Sequence, residues 1–379
     1  RGPGCPVACS RVLGAGAACR GGWLRGWRRG EGLETCCTWA NACGAFAVSR
    51  LLCSPESPTW TELQHFLAHG SPQPALRFDP KRNHLHWATT RRGDWPELFA
   101  FAIDHRVQLE ALAEDCGAPP ARIAAFKQLA VRAAGRVAQG QAGFGMLLDG
   151  THGRQALFEA QGESFWIGRP VELPGSRPLR FETGDLGSAL MEWPVSHCVK
   201  CLVFYHPQDE AGLRQAQEEQ LLLLHQACRR LGRELMIEVI AGKHGELAET
   251  TLAEVLATFY RLGIRPDWWK LEPQPSSAAW KAIDQVIERE DSFCRGVVLL
   301  GLDAPEEKLA AEFTTAQSSS WVRGFAIGRT IFGEAARRWL KGDIDDEGAI
   351  SAMAVRFDSL VTHWRAARAP GPPAQRRSL

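Results

Sequence analysis

The chain has 379 residues, of which 45% are hydrophobic and 23% charged, a profile far from the low-hydrophobicity, high-charge composition of disordered chains. At roughly 150 residues per domain this length fits two or three domains, or one large barrel with an appendage. Lys+Arg 44 against Asp+Glu 43 leaves a net charge of +1, so no global basic field recruits nucleic acid or an anionic membrane.

Along the chain, residues 1–55 are rich in Gly, Cys, Arg and Trp, with no charged segment followed by an uninterrupted apolar core, so no secretory signal is expected. Seven of the twelve cysteines (Cys5, Cys9, Cys19, Cys36, Cys37, Cys43, Cys53) lie here; they read as reduced thiols of a cytoplasmic protein. Residues 56–90 read as a linker, marked by Pro58 and by 70–74, around a short helix over 61–68. From Leu98 onward short β-rich apolar runs alternate with longer helical segments. Strands are expected at 98–104, 144–149, 165–173, 198–205, 235–240, 268–272, 296–301 and 324–328. Helices are expected at 106–116, 120–138, 210–231, 247–262, 277–289, 305–318 and 333–340. Eight such units over 91–366 match an α/β fold of the (β/α)8 TIM-barrel type, while no strand is followed by the glycine signature of a doubly wound dinucleotide-binding sheet. Apolar runs such as 221–224 and 297–300 are far shorter than the roughly 20 residues of a membrane span. The tail 367–379, with three prolines, reads as unstructured.

A barrel carries its chemistry where strands end, so polar residues at the C-terminal halves of the strands are the candidates. They are Asp104 and Arg106 with His105 after the first strand, Asp149 after the second, Lys200 on the fourth, Glu238 on the fifth, Lys270 and Glu272 on the sixth, and Arg329 after the eighth. Lysine inside an apolar strand stands out, because desolvation and a second nearby cation push an ammonium toward its neutral, nucleophilic form, which condenses with ketones. Two such lysines with a carboxylate on neighbouring strands are read as one constellation. Gly301 and Gly328, with Arg329, sit in the loops where barrels hold phosphate. His105, His152, His197 and His206 have no H-x-x-x-H spacing, and Cys198 and Cys201 lie in a buried-strand pattern without a second pair, so neither a metal nor another cofactor is expected.

Several strings carry a resemblance: 101–106 (FAIDHR), 166–172 (WIGRPVE), 200–207, 266–273 (PDWWKLEP) and 324–332. Through them the region 75–367 resembles the C-terminal domain of the bifunctional 5-dehydro-2-deoxygluconokinase and 5-dehydro-2-deoxyphosphogluconate aldolase of bacterial myo-inositol catabolism. More distantly it is similar to the class I tagatose-bisphosphate aldolases, whose V-K-F-L-L-Y-Y and L-K-V-E-V-P strands align with 199–205 and 269–273. That match implies Lys270 as the Schiff-base lysine, Glu238 as the acid/base and Lys200 as its cationic neighbour. The chain departs from those aldolases at Leu300-Gly301-Leu302, where they have Ser-Ala-Gly, and at 149–153, where they have D-P-x-Y-G. Residues 11–69 resemble the last part of a ribokinase-like sugar kinase through Gly14-Ala15-Gly16 and 41–45, with Ala17 where those kinases place a catalytic Asp. The resemblance implies a remnant over 1–55 without kinase activity, and poor packing there is expected.

The resulting expectation is a carbon–carbon lyase that splits 2-deoxy-5-keto-gluconate 6-phosphate into dihydroxyacetone phosphate and malonate semialdehyde. Its partner would be that sugar phosphate, with neither nucleic acid nor membrane, in a chain that can form a homo-oligomer. The alternative is a non-catalytic sugar-phosphate-binding barrel that regulates or stabilises a fused kinase. The two differ in whether Lys200, Glu238 and Lys270 meet at one strand end.

Overall fold

Eight short apolar runs pair side by side, all parallel and in sequence order, and close into a barrel in the computed structural model, which describes residues 4–91 and 93–368. The chain divides after Asp94 into two units.

The first unit holds helices α1 (Ala15–Arg28), α2 (Leu33–Ser49), α3 (Trp60–His69) and α4 (Pro80–Thr90). Its first part packs unevenly: α1 buries only Gly22 and Gly26 and leaves Leu24 and Trp27 exposed, whereas α2 is well seated. On α2, Trp39, Ala42, Cys43 and Phe46 recur at helical spacing and bury an apolar stripe against Leu63 and Phe66 of α3 and against Leu76. Glycines let α1 close on α2, since a Cβ at Gly22 would stand 2.7 Å from the Trp39 carbonyl oxygen. Helix α4 falls within the expected linker. Asp79 caps it, accepting the N–H groups of Lys81 and Arg82, and Pro80 opens its first turn.

The second unit begins with strand β1 (Leu98–Ala102), helices α5 (Val107–Asp115) and α6 (Ala121–Ala138), β2 (Phe144–Leu147), α7 (Arg154–Glu159), β3 (Trp166–Pro170) and α8 (Leu186–Met191). It continues through β4 (Cys198–Phe204), α9 (Ala211–Leu231), β5 (Leu235–Ile240), α10 (Thr251–Arg261), β6 (Trp268–Leu271), α11 (Ser277–Glu290), β7 (Gly296–Leu300), α12 (Glu306–Ala316), β8 (Val322–Ile327), α13 (Arg329–Lys341) and α14 (Asp346–Arg368). All eight expected strands are present. The strands are buried on both faces because helices cover the outside and side chains fill the inside.

Period-two alternation sorts the two faces. Leu98, Ala100, Leu147, Trp166, Cys198, Met236, Trp268 and Val298 form an apolar plug, with the Trp166 and Trp268 rings edge to face at 6.3 Å. The alternate residues, such as Phe99, Val199, Ile237 and Trp269, join the larger core under the helices. Closure of β8 on β1 needs Gly324, whose φ is +159° and where a Cβ would collide with the Leu98 carbonyl oxygen.

Helix α13 starts at Arg329, four residues before the expected Gly333, because the chain turns into it directly from Gly328. Helix α14 was not expected. Its Ile350, Met353, Phe357, Leu360, Val361 and Trp364 are buried, with Phe357 and Trp364 packed on Phe99, Phe101, Phe144 and Phe325 of the strands. Of the tail expected from Ala367, Ala367 and Arg368 close α14, and 369–379 lie outside the described residues. Among the described residues no helix is long and apolar enough to cross a membrane.

Candidate active site

The alternation that builds the apolar plug also builds the layer above it. Two residues beyond Cys198, Met236 and Trp268, on the same inward face, stand Lys200, Glu238 and Lys270. All three are buried. Glu238 lies between the lysines, its Oε2 2.7 Å from Lys200 Nζ and its Oε1 2.9 Å from Lys270 Nζ. Lys200 Nζ also donates to Asp104 Oδ2 and to Glu172 Oε1, each at 3.1 Å. These side chains line a cavity of about 570 Å³ at the C-terminal ends of the strands, together with Glu272, Gly301, Gly328 and Arg329.

Burial by itself would lift the carboxyl groups out of their charged form, but the cations overrule it. Asp104 is held far below the usual carboxylate range by Lys200, His105, Lys270 and Arg106, and Glu238 is held down by Lys200 and Lys270. For Lys200 the order of effects is the same with the opposite sign: burial favours the neutral amine, yet Asp104, Glu172 and Glu238 raise it well above an ordinary lysine. This corrects the expectation that both strand lysines are pushed toward neutrality. Lys200 is a fixed ammonium.

Glu172 was missed in the sequence. It follows β3 by two residues, accepts the Leu202 N–H on Oε2 at 3.1 Å, and takes Arg106 Nη2 on Oε1 at 3.0 Å. Arg106, expected to meet a substrate anion, is engaged by Glu172 and by Glu182, whose Oε1 is 2.7 Å from its Nη1. Glu272 Oε2 accepts the N–H groups of Ala241 and Gly242 at 2.7 and 2.9 Å, tying the end of β5 to β6, and its burial raises it above the usual carboxyl range.

At the β7 and β8 ends Arg329 is 41% exposed and pairs with Asp303 at 3.2 Å. Leu302 and Asp303 adopt left-handed backbone conformations with φ of 45° and 63°. Gly328 is dictated by crowding, since a Cβ there would strike the Ala102 carbonyl oxygen and stand 2.6 Å from His105 Cε1. Lys243, also unforeseen, reaches the cavity rim with its ammonium 4.8 Å above the Phe204 ring.

Asp149, expected as a substrate contact, is not among the cavity residues; it is fully buried against Lys127 of α6. His105 lines the cavity as a neutral imidazole, lowered to about 4 by burial against the pull of Asp104. His152 donates to or accepts from Glu110 at 2.7 Å and His206 meets the Glu246 carbonyl oxygen, so these histidines do not converge. Among the described residues no group of three or more His, Cys, Asp and Glu is placed to hold a metal ion. Cys198 and Cys201 point to opposite faces of β4, and burial raises both thiols well above the ordinary value.

Residues 62–368 match the model of a family described as an uncharacterized protein conserved in bacteria (DUF2090). The chain belongs to this family. No curated protein sequence matches it. Among solved structures, it is similar to the fructose-bisphosphate aldolase of Plasmodium falciparum, with a TM-score of 0.54, 11% identity, and coverage of 76% of this chain and 94% of that one. It is also similar to Cgl0159 of Corynebacterium glutamicum, with a TM-score of 0.47, 16% identity, and coverage of 79% and 97%. The likeness to the aldolase is one of fold, the closed eight-stranded barrel with its helical coat.

Proposed function

We propose that the barrel is a class I aldolase acting on a ketose phosphate. The observation that carries this reading is the convergence of Lys200, Glu238 and Lys270 within 3 Å contacts at one strand end, joined by Asp104. A barrel that only binds sugar phosphate has no need of a buried amine pair bridged by a carboxylate.

Glu238, ionised and 2.9 Å from Lys270 Nζ, takes the ammonium proton. The freed amine attacks the substrate ketone; Glu238 returns its proton to the carbinolamine hydroxyl, which leaves as water to give an iminium and the carboxylate again. Glu238 then removes the proton of the hydroxyl two carbons from the iminium carbon. The bond between the hydroxyl-bearing carbon and the carbon next to the iminium breaks, its electrons pass to the iminium to form an enamine, and the hydroxyl carbon leaves as an aldehyde. Protonation of the enamine and hydrolysis of the imine release the ketone and restore Lys270. Lys200, fixed as an ammonium by three carboxylates, stabilises the oxyanion as charge develops on it. Asp104 holds Lys200 in place and is open to the cavity for a substrate hydroxyl.

Resemblance to the inositol-pathway enzymes supports 2-deoxy-5-keto-gluconate 6-phosphate as substrate, with dihydroxyacetone phosphate and malonate semialdehyde as products. The phosphate would lie at Gly301, Gly328 and Arg329. The separate resemblance of residues 11–69 to a ribokinase-like sugar kinase supports reading 1–55 as a kinase remnant, with Ala17 in place of the catalytic base, and no kinase activity is expected from it.

Borohydride reduction in the presence of dihydroxyacetone phosphate tests the reading. The ligand mass is expected on the peptide that contains Lys270, and Lys270→Met is expected to abolish both adduct and cleavage. An adduct on Lys200 would exchange the two roles; no adduct on any lysine would end the Schiff-base reading.

A further inference from the structure

One buried ionic group lies outside the cavity and has no part in the steps above. Lys127 sits on the buried stripe of α6, with Ile123, Phe126 and Ala130, and its side chain is 0% exposed. Its Nζ donates to the Ile103 carbonyl oxygen at 2.8 Å, to the His105 carbonyl oxygen at 2.9 Å, and to Asp149 Oδ1. The other carboxylate oxygen of Asp149 accepts the N–H groups of Thr151 at 3.0 Å and His152 at 2.7 Å.

Two apolar side chains would fill this space at no desolvation cost, and replacing a buried ion pair by well-packed hydrophobes is often neutral or stabilising. Packing therefore does not explain the pair. What an apolar pair cannot do is take the two carbonyl groups on either side of Asp104. The Ile103 N–H still donates to the Leu147 carbonyl oxygen at 2.9 Å, but among the described residues no backbone N–H meets the Ile103 or His105 carbonyl oxygen. Lys127 holds both, and Asp149 anchors Lys127 to the loop after β2.

We propose that Lys127, paired with Asp149, is a positioning residue that fixes the backbone on both sides of Asp104, so that the Asp104 carboxylate is presented to Lys200. The kinetic part of this inference rests on the aldolase reading; the structural part does not. Three orienting contacts at one ammonium leave the Asp104 peptide little freedom, and a displacement of about 1 Å at a reacting group can lower a rate by about 10²-fold.

The test uses the full chain with Lys127→Met and the milder Asp149→Asn, which keeps an acceptor for the Thr151 and His152 N–H groups. Hydrogen–deuterium exchange of peptides covering 101–107 is expected to rise at least tenfold in both variants, while peptides covering 235–240 and 268–271 stay within about twofold. In the same samples the cleavage kcat is expected to fall at least tenfold, with KM and the yield of the borohydride-trapped adduct within about threefold of the parent. Should Lys127→Met fail to fold, Asp149→Asn decides. Exchange that is unchanged at 101–107, or raised equally across the barrel, overturns the proposal, as does a parallel loss of adduct and cleavage. A parent protein that forms no adduct refutes the aldolase reading instead, and the exchange data then decide the positioning role alone.

Discussion

Lys200→Met removes the single cation that three buried carboxylates share. Contacts of 2.7 to 3.1 Å link its Nζ to Asp104, Glu172 and Glu238. At an effective dielectric of about 20, two unit charges 4 Å apart interact by about 4 kcal/mol, and these lie closer. Desolvation offsets much of that in the intact cluster, but the balance is lost when one partner goes, and breaking a buried pair costs about 3–5 kcal/mol. Arg106 remains on Glu172 and Lys270 on Glu238, so about 4 kcal/mol is expected rather than a multiple of it. The assay is urea unfolding of the barrel followed by its buried tryptophans, parent against variant, over a range of pH. Glu238 is depressed in the folded state; its contribution is present above the ordinary Glu range and is lost as the pH falls through the folded value. Without Lys200 the carboxyls rise, protonate earlier and no longer need a cation, so the gap between parent and variant narrows as the pH drops below about 5. A loss under about 1 kcal/mol at pH 7, or a gap that widens in acid, would refute this account of the cluster. Some trapped adduct is expected to survive in the variant, because Lys200 acts through charge.

Glu238→Gln keeps the shape of the layer but removes the proton acceptor, and is expected to lower the cleavage rate about 10²- to 10⁴-fold in a steady-state assay. His105, lowered to about 4 in the folded chain, takes up a proton more readily when unfolded. Stability is therefore expected to fall as the pH drops from about 6.5 toward 4, by at most about 1.4 kcal/mol per pH unit from this residue, and His105→Gln should flatten that slope in pH-resolved melts. Gly328→Ala drives a methyl group into the Ala102 carbonyl oxygen and toward His105; a loss of about 1–3 kcal/mol is expected, with reduced cleavage, and unchanged melting would show that β8 has room to shift.

Much of the barrel was legible because its signal is local. A run such as Val297 to Leu300, short, rich in β-branched residues and flanked by Gly296 and Gly301, reads as a strand buried on both faces, and eight such runs at regular spacing leave few architectures. Lys200, Glu238 and Lys270 were legible for the same reason, since a charge breaking such a run stands out and needs partners. The failures have the opposite character. Asp149 ends a strand as the other candidates do, and only the tertiary position of Lys127 shows that its carboxylate is used below the mouth. A signal existed on the helix side: Lys127 occupies a position of the apolar stripe of α6, where a solvated lysine does not belong. Glu172 lies just past a strand whose Pro170 pairs with Lys200, so its reach was hidden by the register. Helix α14 escaped because its buried face carries Ala349, Met353 and Trp364 among polar residues, and its amphipathic pattern is weak until the outer faces of β1, β2 and β8 are in place to receive it.

The two strand lysines, both expected to be pushed toward neutrality, are separated by the number of carboxylates each meets. Among the described residues Lys200 has three within ion-pair distance and Lys270 has one. Three acceptors fix an ammonium in place and spend all its donor directions, so Lys200 can offer charge but neither its lone pair nor free movement. Lys270, with Glu238 as its one carboxylate partner, lines the cavity without being tied in this way. Glu238 joins the lysines, and its ionised state is set by both. When a proton passes from Lys270 to Glu238, one cation and one anion of the layer disappear together, so the net charge of the buried cluster does not change and no new uncompensated charge is created in the barrel. Lys200 stays charged beside them, held so by Asp104, Glu172 and Glu238. In the proposed reaction the acidic partners of Lys200 thus act through it, holding a fixed charge beside Glu238 while Lys270 serves as the nucleophile.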